Sequence, residues 1–188
     1  MGRIQLVKKM KHQADLIATL FTLGLFTCSQ GALGLDIEGC VIEPYTVCGD
    51  AQLSNANLAQ ANLTGAMLAG ADLSGTNLST ANLSGADLSG ADLSSAKLFS
   101  ANLSNTLLFQ ANLSDTNLAN ARLDGANLEF ANLEGASLLN ANLAGANLGG
   151  ANATDAAMAG ASYDGRTIFT TGFDPSARGL VFRETSDR

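Results

Sequence analysis

From Ala51 to Gly165 the hydrophobic and polar positions recur every five residues, with no insertion or deletion. Neither regular periodicity accounts for this, because a helix repeats its buried face about every 3.6 residues and a strand every 2. The third position of each phrase, its centre, is Leu in the first 20 of 23 phrases. These are Leu53, Leu58, Leu63, Leu68, Leu73, Leu78, Leu83, Leu88, Leu93, Leu98, Leu103, Leu108, Leu113, Leu118, Leu123, Leu128, Leu133, Leu138, Leu143 and Leu148; Ala153, Met158 and Tyr163 complete the series. The first position is Ala in 20 phrases and Thr in three, at Thr76, Thr106 and Thr116. The second is Asn or Asp in 15, and the fifth is Gly in 11.

A five-residue period has a physical solution. The Ala and Leu of each phrase turn inward and the other three residues face water. The small Ala lets the backbone pass close to the axis while Leu fills the remaining space. Gly, Asn, Asp and Ser suit the bend that follows each short extended piece. Four bends return the chain to its starting side, so one coil takes four phrases. Successive coils then pair in parallel at ~4.8 Å.

The phrase seen in Ala81-Asn82-Leu83-Ser84-Gly85 and Ala86-Asp87-Leu88-Ser89-Gly90 resembles that of the pentapeptide-repeat family, and the likeness runs through residues 51–165. The resemblance implies an all-β fold, a right-handed quadrilateral parallel β-helix of about six coils. The stretch from Thr167 to Pro175 looks like the C-terminal closing segment of cyanobacterial members. Several of those are exported to the periplasm or thylakoid lumen, which the resemblance extends to this chain.

An open coil presents unpaired strand edges, so both ends need closure. At the N-terminal end Cys48 keeps the register as a centre, and Glu43 and Pro44 are expected to break it. At the C-terminal end Asp174-Pro175 reads as a helix cap and first turn, with Gly179 as its stop. Leu180, Val181 and Phe182 are then expected to cover the last coil, and Ile168, Phe169, Phe173 and Phe182 to cap a monomer or join a dimer.

The first residues differ from all that follows. Arg3, Lys8, Lys9 and Lys11 precede an apolar run from Leu16 to Cys28. Thirteen residues of helix reach ~20 Å, short of the ~30 Å hydrocarbon core, so the run reads as a secretory signal. Cleavage before Ala32 or shortly after it fits the small residues there, which divides the chain into a signal (1–31), an N-terminal cap (32–50), the repeat (51–165) and a C-terminal cap (166–188). The alternatives are an uncleaved anchor, a buried N-terminal helix, a lipid on Cys28 three residues after Leu25, or a cytoplasmic chain. Membrane contact is expected only through this segment or that lipid. Cys40 and Cys48, eight residues apart, would close a small disulfide loop in an oxidising compartment or remain two buried thiols.

Charge narrows the chemistry. The net charge of −7, with a pI near 4.4, argues against sequence-independent nucleic-acid binding, which needs clustered Lys and Arg. The one histidine, His12, lies in the signal, so an exported chain lacks the usual activated nucleophiles and bases. No metal-ligand spacing appears and no cofactor is expected. Asp124, Glu129 and Glu134 follow their centres by one place, as solvated acids on neighbouring faces would. An uninterrupted repeat has no long loop from which to build a glycosidase-like cleft.

Surface stacking supplies the remaining expectation. Residues 20 apart should lie one above another, which aligns Ser54, Ser74, Ser94 and Ser114 on a flat polar face. Phe99 and Leu139 fall on a second face, and Met67, Leu107, Phe109 and Phe130 on the face opposite. Outward apolar groups on two faces point to contact with a protein partner. The expected function is a non-enzymatic exported scaffold. The alternative, implied by the family's fluoroquinolone-resistance members, is a DNA mimic that binds gyrase. Within 51–165 there are nine acids against two bases, Lys97 and Arg122, which is sparse for that role.

Overall fold

A computed structural model of the chain describes residues 35–37 and 39–184. The segment read as a signal, with Cys28 and His12, lies outside the described residues. Every second-position residue from Val47 to Asn142 pairs in parallel with the residue 20 further on, as in Asn82 with Asn102 and Asn102 with Arg122. Each coil therefore takes four phrases, and no helix occurs among the described residues.

The hydrogen bonds explain the period. The centre N–H reaches the coil above, as in Leu83 N to Asn102 O at 2.7 Å, and the second-position N–H reaches the coil below, as in Asn102 N to Ala81 O at 2.9 Å. The next first-position N–H turns back onto the centre carbonyl, as in Ala86 N to Leu83 O at 3.0 Å. Every fifth residue from Tyr45 to Gly160 has positive φ, without exception. A reversed hydrogen bond with positive φ at its third residue is a type II turn, which favours Gly or Asn there.

All 20 central Leu are buried, most at 0% exposure, with the first-position Ala forming the inner lining between them. Burying one Leu contributes roughly 1.5–3 kcal/mol, opposed by the ordering of its backbone. The three threonines in the Ala column are also buried, and each hydroxyl donates to a centre carbonyl in the coil below: Thr76 to Leu53 O, Thr106 to Leu83 O and Thr116 to Leu93 O. A hydroxyl is tolerated in this core because its own coil-to-coil bond satisfies it.

At the N-terminal end β1 (Leu35–Ile37) and β2 (Cys40–Ile42) form an antiparallel hairpin, and the Cys40 and Cys48 sulfurs are joined. The coil geometry starts earlier than residue 51. Tyr45 already has positive φ and donates to Thr64 O at 2.8 Å, and Thr46 N reaches Glu43 O. The parallel ladder itself begins with Val47 and Met67; one phrase earlier Ile42 pairs with Leu35 in the hairpin rather than with Asn62, so the strand register breaks at Glu43 and Pro44 and only the corner at Tyr45 keeps coil geometry.

At the other end the 20-residue register shifts. Strand β3 (Asn147–Leu148) pairs with β5 (Ile168–Phe169) at an offset of 21, and β4 (Ser162–Tyr163) with β6 (Val181–Phe182) at 19. The residue that manages the shift is Asp164, 2% exposed. Its carboxylate accepts the N–H groups of Gly145 and Arg166, the Thr167 hydroxyl and the Arg166 guanidinium at 2.8 Å. Burial pushes this carboxyl up, but the Arg166 guanidinium and the two backbone donors outweigh it and hold the pKa at about 2.

The helix expected after Asp174 is instead a single turn. Asp174 does cap, accepting from Ser176 N and Ala177 N, but Gly179 takes φ 73° and Leu180 N bonds Pro175 O. Four residues after the cap are too few to propagate a helix past its costly first turn. Leu180 is buried as a cover, whereas Val181 and Phe182 stay exposed and continue the ladder. Tyr163 meets Phe169 and Phe182 edge to face, with Phe173 stacked on Phe169 at 4.9 Å.

Candidate functional site

The outer surface has its own rule, set by one backbone donor. The fourth-position N–H has no partner in the ladder. In all 15 phrases with Asn or Asp at the second position, that side chain's Oδ1 accepts it, as in Ser84 N to Asn82 Oδ1 at 3.2 Å. This is a local side-chain turn, and it is the physical reason for Asn and Asp there.

Eight phrases lack that residue, and three of them carry the large apolar fourth-position groups: Lys97-Leu98-Phe99, Leu107-Leu108-Phe109 and Ser137-Leu138-Leu139. The N–H groups of Phe99, Phe109 and Leu139 have no hydrogen-bond partner among the described residues. Each site thus presents an outward apolar side chain next to an uncovered amide donor. The sequence held this signal as a coincidence between a missing Asn or Asp and a large fourth residue.

Phe109 and Phe130 are brought into contact, edge to face, with ring centroids 5.9 Å apart. Phe130 holds φ 58°, a conformation uncommon for a bulky side chain, and remains 56% exposed. Leu107 is exposed in the same coil as Phe109. Met67 is exposed in the Leu107 column, but Asp87 lies between them in the ladder, so it stands apart from the aromatic pair. Phe99 and Leu139 lie two turns away around the coil, in one column with Ala119 between them.

The acids form no convergent set. Asp72 and Asp92 are stacked neighbours in one ladder column. The hydroxyl of Ser74, then its backbone N–H, holds the Asp72 carboxyl below its usual range against the opposing effect of burial. Asn112 donates to Asp92 at 3.0 Å and continues upward as an amide ladder through Asn132 and Asn152. Asp124 pairs with Arg122 at 3.3 Å. Among the described residues no group of three His, Cys, Asp or Glu side chains is placed to hold a metal ion, and no helix is long and apolar enough to cross a membrane.

With a parallel ladder of 20 residues per coil and a turn at every fifth residue, the chain belongs to the pentapeptide-repeat family. The family model for Pentapeptide repeats matches in 8 copies, over residues 47–85, 76–115 and 101–140. Among solved structures the chain is similar to a pentapeptide repeat protein from the cyanobacterium Cyanothece 51142, at 46% identity over 50% of this chain and 63% of that one, with a TM-score of 0.49. It is similar to one from the thylakoid lumen of Arabidopsis thaliana, at 34% identity over 48% of this chain and 63% of that one, with a TM-score of 0.47. HetL, a pentapeptide repeat protein involved in heterocyst differentiation regulation in Nostoc, shares 32% identity over 79% of each chain, with a TM-score of 0.41. The chain spans 63% of the length of each of the first two. No curated protein matches the sequence.

Proposed function

We propose that the coil closes into a right-handed, four-sided β-helix of about six turns and that it serves as a non-enzymatic exported scaffold. On this reading residues 1–31 are the signal, 32–50 and 166–188 are caps, and 51–165 are the scaffold proper. The bearing observation is the pairing of Phe99, Phe109 and Leu139 with uncovered backbone donors, on two opposite faces of a coil whose other outward amides are mostly closed by Asn or Asp. Apolar surface beside an open donor is what a protein partner can cover and satisfy together. The periplasm or thylakoid lumen suits both the basic and apolar N-terminal pattern and the Cys40–Cys48 bridge.

Fractionation combined with N-terminal sequencing of the mature protein tests this reading. A chain beginning near Ala32 in an exported compartment is expected; an intact N-terminus in the cytoplasm would sink it. The gyrase-binding alternative asks for phosphate-like charge, about one negative charge per 1.7 Å of duplex. Here the nine acids are spread over three faces, with Asp87 and Glu129 on one, Asp72, Asp92, Asp115, Glu134 and Asp155 on another, and Asp124 and Asp164 on a third. No inhibition of supercoiling at stoichiometric protein is therefore expected.

A further inference from the structure

We propose that the face carrying Phe109 and Phe130 docks a second copy of this chain, which offers the opposite face carrying Lys97, Phe99 and Leu139. This rests on the scaffold reading above and names its partner. The two faces are opposite in sign. The phrases centred on Leu58, Leu78, Leu98, Leu118, Leu138 and Met158 contain a single charged residue, Lys97. Those centred on Leu68, Leu88, Leu108, Leu128 and Leu148 contain Asp87 and Glu129 and no base. One face has only positive charge and the other only negative, so like faces repel and unlike faces attract.

Hydrogen bonding and apolar groups are complementary in the same sense. The basic face holds the uncovered N–H groups of Phe99 and Leu139, which the carboxylates of Asp87 and Glu129 on the acidic face can accept; the uncovered N–H of Phe109 lies on the acidic face itself. Lys97 is 10 residues from both Asp87 and Leu107, which is half of a 20-residue coil. Copies set side by side with parallel axes therefore bring Lys97 and Phe99 to the level between Asp87 and Leu107. Phe130 adds an independent sign. An exposed aromatic ring in a positive-φ corner is a costly choice where Gly, Asn or Asp would fit, and such strain gathers at binding sites. Because the two faces differ, the contact is heterologous and each added copy leaves a fresh face open, so assembly continues beyond a dimer.

Light scattering of the purified protein over a concentration series, with charge-reversed variants, tests this. Lys97→Glu makes the basic face acidic; Asp87→Lys with Glu129→Lys makes the acidic face basic. Lys and Arg already occupy the second position at 97 and 122, the position in which Lys97→Glu and Asp87→Lys fall, and Glu129 is an outward fourth-position residue, so these changes leave the leucine core untouched. The parent mass is expected to grow past that of a dimer. Each variant alone should associate at least tenfold more weakly, and an equimolar mixture of the two should regain the parent's assembly, since every contact in it then joins opposite charges. Phe109→Ser should weaken assembly without changing the charge balance. A parent that stays monomeric, stops at a dimer, assembles equally with Phe109→Ser, or is not rescued by mixing would overturn the proposal. A monomeric parent that loses capture of another protein on Phe109→Ser would overturn self-association alone and leave the scaffold reading standing.

Discussion

The ring of Phe130 lies over the backbone of Gly150 in the next coil, in the space that a Cβ on Gly150 would need. Tyr45 covers Gly65 in the same way, and Asp50, Asn55, Asn105, Asp115 and Asn140 each overhang a glycine 20 residues on. At these corners, glycine above makes room for the side chain below. Gly150→Ala should therefore suffer twice, from its positive φ and from the ring. Gly90 has φ 66° with open space where its Cβ would go, so Gly90→Ala carries only the backbone cost, roughly 1–2 kcal/mol. Gly150→Ala is expected to cost roughly 1–3 kcal/mol more, and adding Phe130→Gly should return most of that excess, since the glycines above Gly65 and Gly70 have open space. Denaturant melts of the three proteins give the comparison; equal losses for the two glycine variants would contradict it.

The core and the outer face should respond very differently to charge. Leu103 is fully buried, whereas Asn102 is half-buried and its Oδ1 serves Ser104. Leu103→Asp places a carboxylate among leucines and should abolish cooperative folding or remove at least 4 kcal/mol, the order of the larger core losses. Asn102→Asp keeps the acceptor and should cost about 1 kcal/mol or less. Circular dichroism melts read both, and matching midpoints would refute the inward assignment of the centres.

Thr106→Ala tests the satisfied core hydroxyl. Ala already fills this column in 20 phrases, and the Leu83 carbonyl keeps its bond from Ala86 N. The change should lie within about 1 kcal/mol of the parent. Thr106→Ser, which keeps a hydroxyl but loses the methyl, should be no better.

The closing segment should be sensitive to acid. Asp164 has a folded pKa of about 2, below its ordinary 3.8. A depressed carboxylate contributes stability that is present above the unfolded value and is lost as pH falls through the folded one. Asp164→Asn should therefore lower Tm clearly at pH 5, with the gap to the parent closing between pH ~4 and ~2. A gap independent of pH would mean that the carboxylate charge is not what holds the register shift.

Reduction of the Cys40–Cys48 bridge frees an eight-residue separation at the N-terminal end. Chain entropy alone assigns about 2–3 kcal/mol to a loop of this size. Dithiothreitol, or Cys40→Ser with Cys48→Ser, should lower the unfolding free energy by up to that amount while leaving the cooperative melt of the coil; hydrogen exchange should rise first around Thr46 and Val47.

Much of this architecture was legible because the core tolerates so little. Only Leu at Leu53 to Leu148, with Ala or a self-satisfied Thr beside it, fills the interior, so the period is written plainly in the chain. The preference for Asn and Asp was visible too, but not its cause, since the bond from Asn82 to Ser84 N is a matter of local geometry. The contact between Phe109 and Phe130 depends on a residue 21 places away at a corner, which stacking by 20 places only brings near. Asp164 gave no sign of its role. It occupies the fourth position that Asp124 also holds, and burial alone separates them. The turn at Asp174 misled because the same cap opens one turn or ten.

The unbroken pairing of each residue with the one 20 places on has a bearing on how such a chain can change in length. Loss or gain of four phrases removes or adds a storey and leaves every other residue facing the same way. Loss of one phrase keeps the leucine core equally well, but swings everything above it a quarter turn. Removing Ala111–Asp115 would carry Phe130 away from Phe109 and set it above Asn105 in place of Gly125, while the leucine core stays in register. Length in this protein is thus a compass setting for its surface, and variation by single phrases can redraw what the molecule shows to its surroundings without disturbing what holds it up.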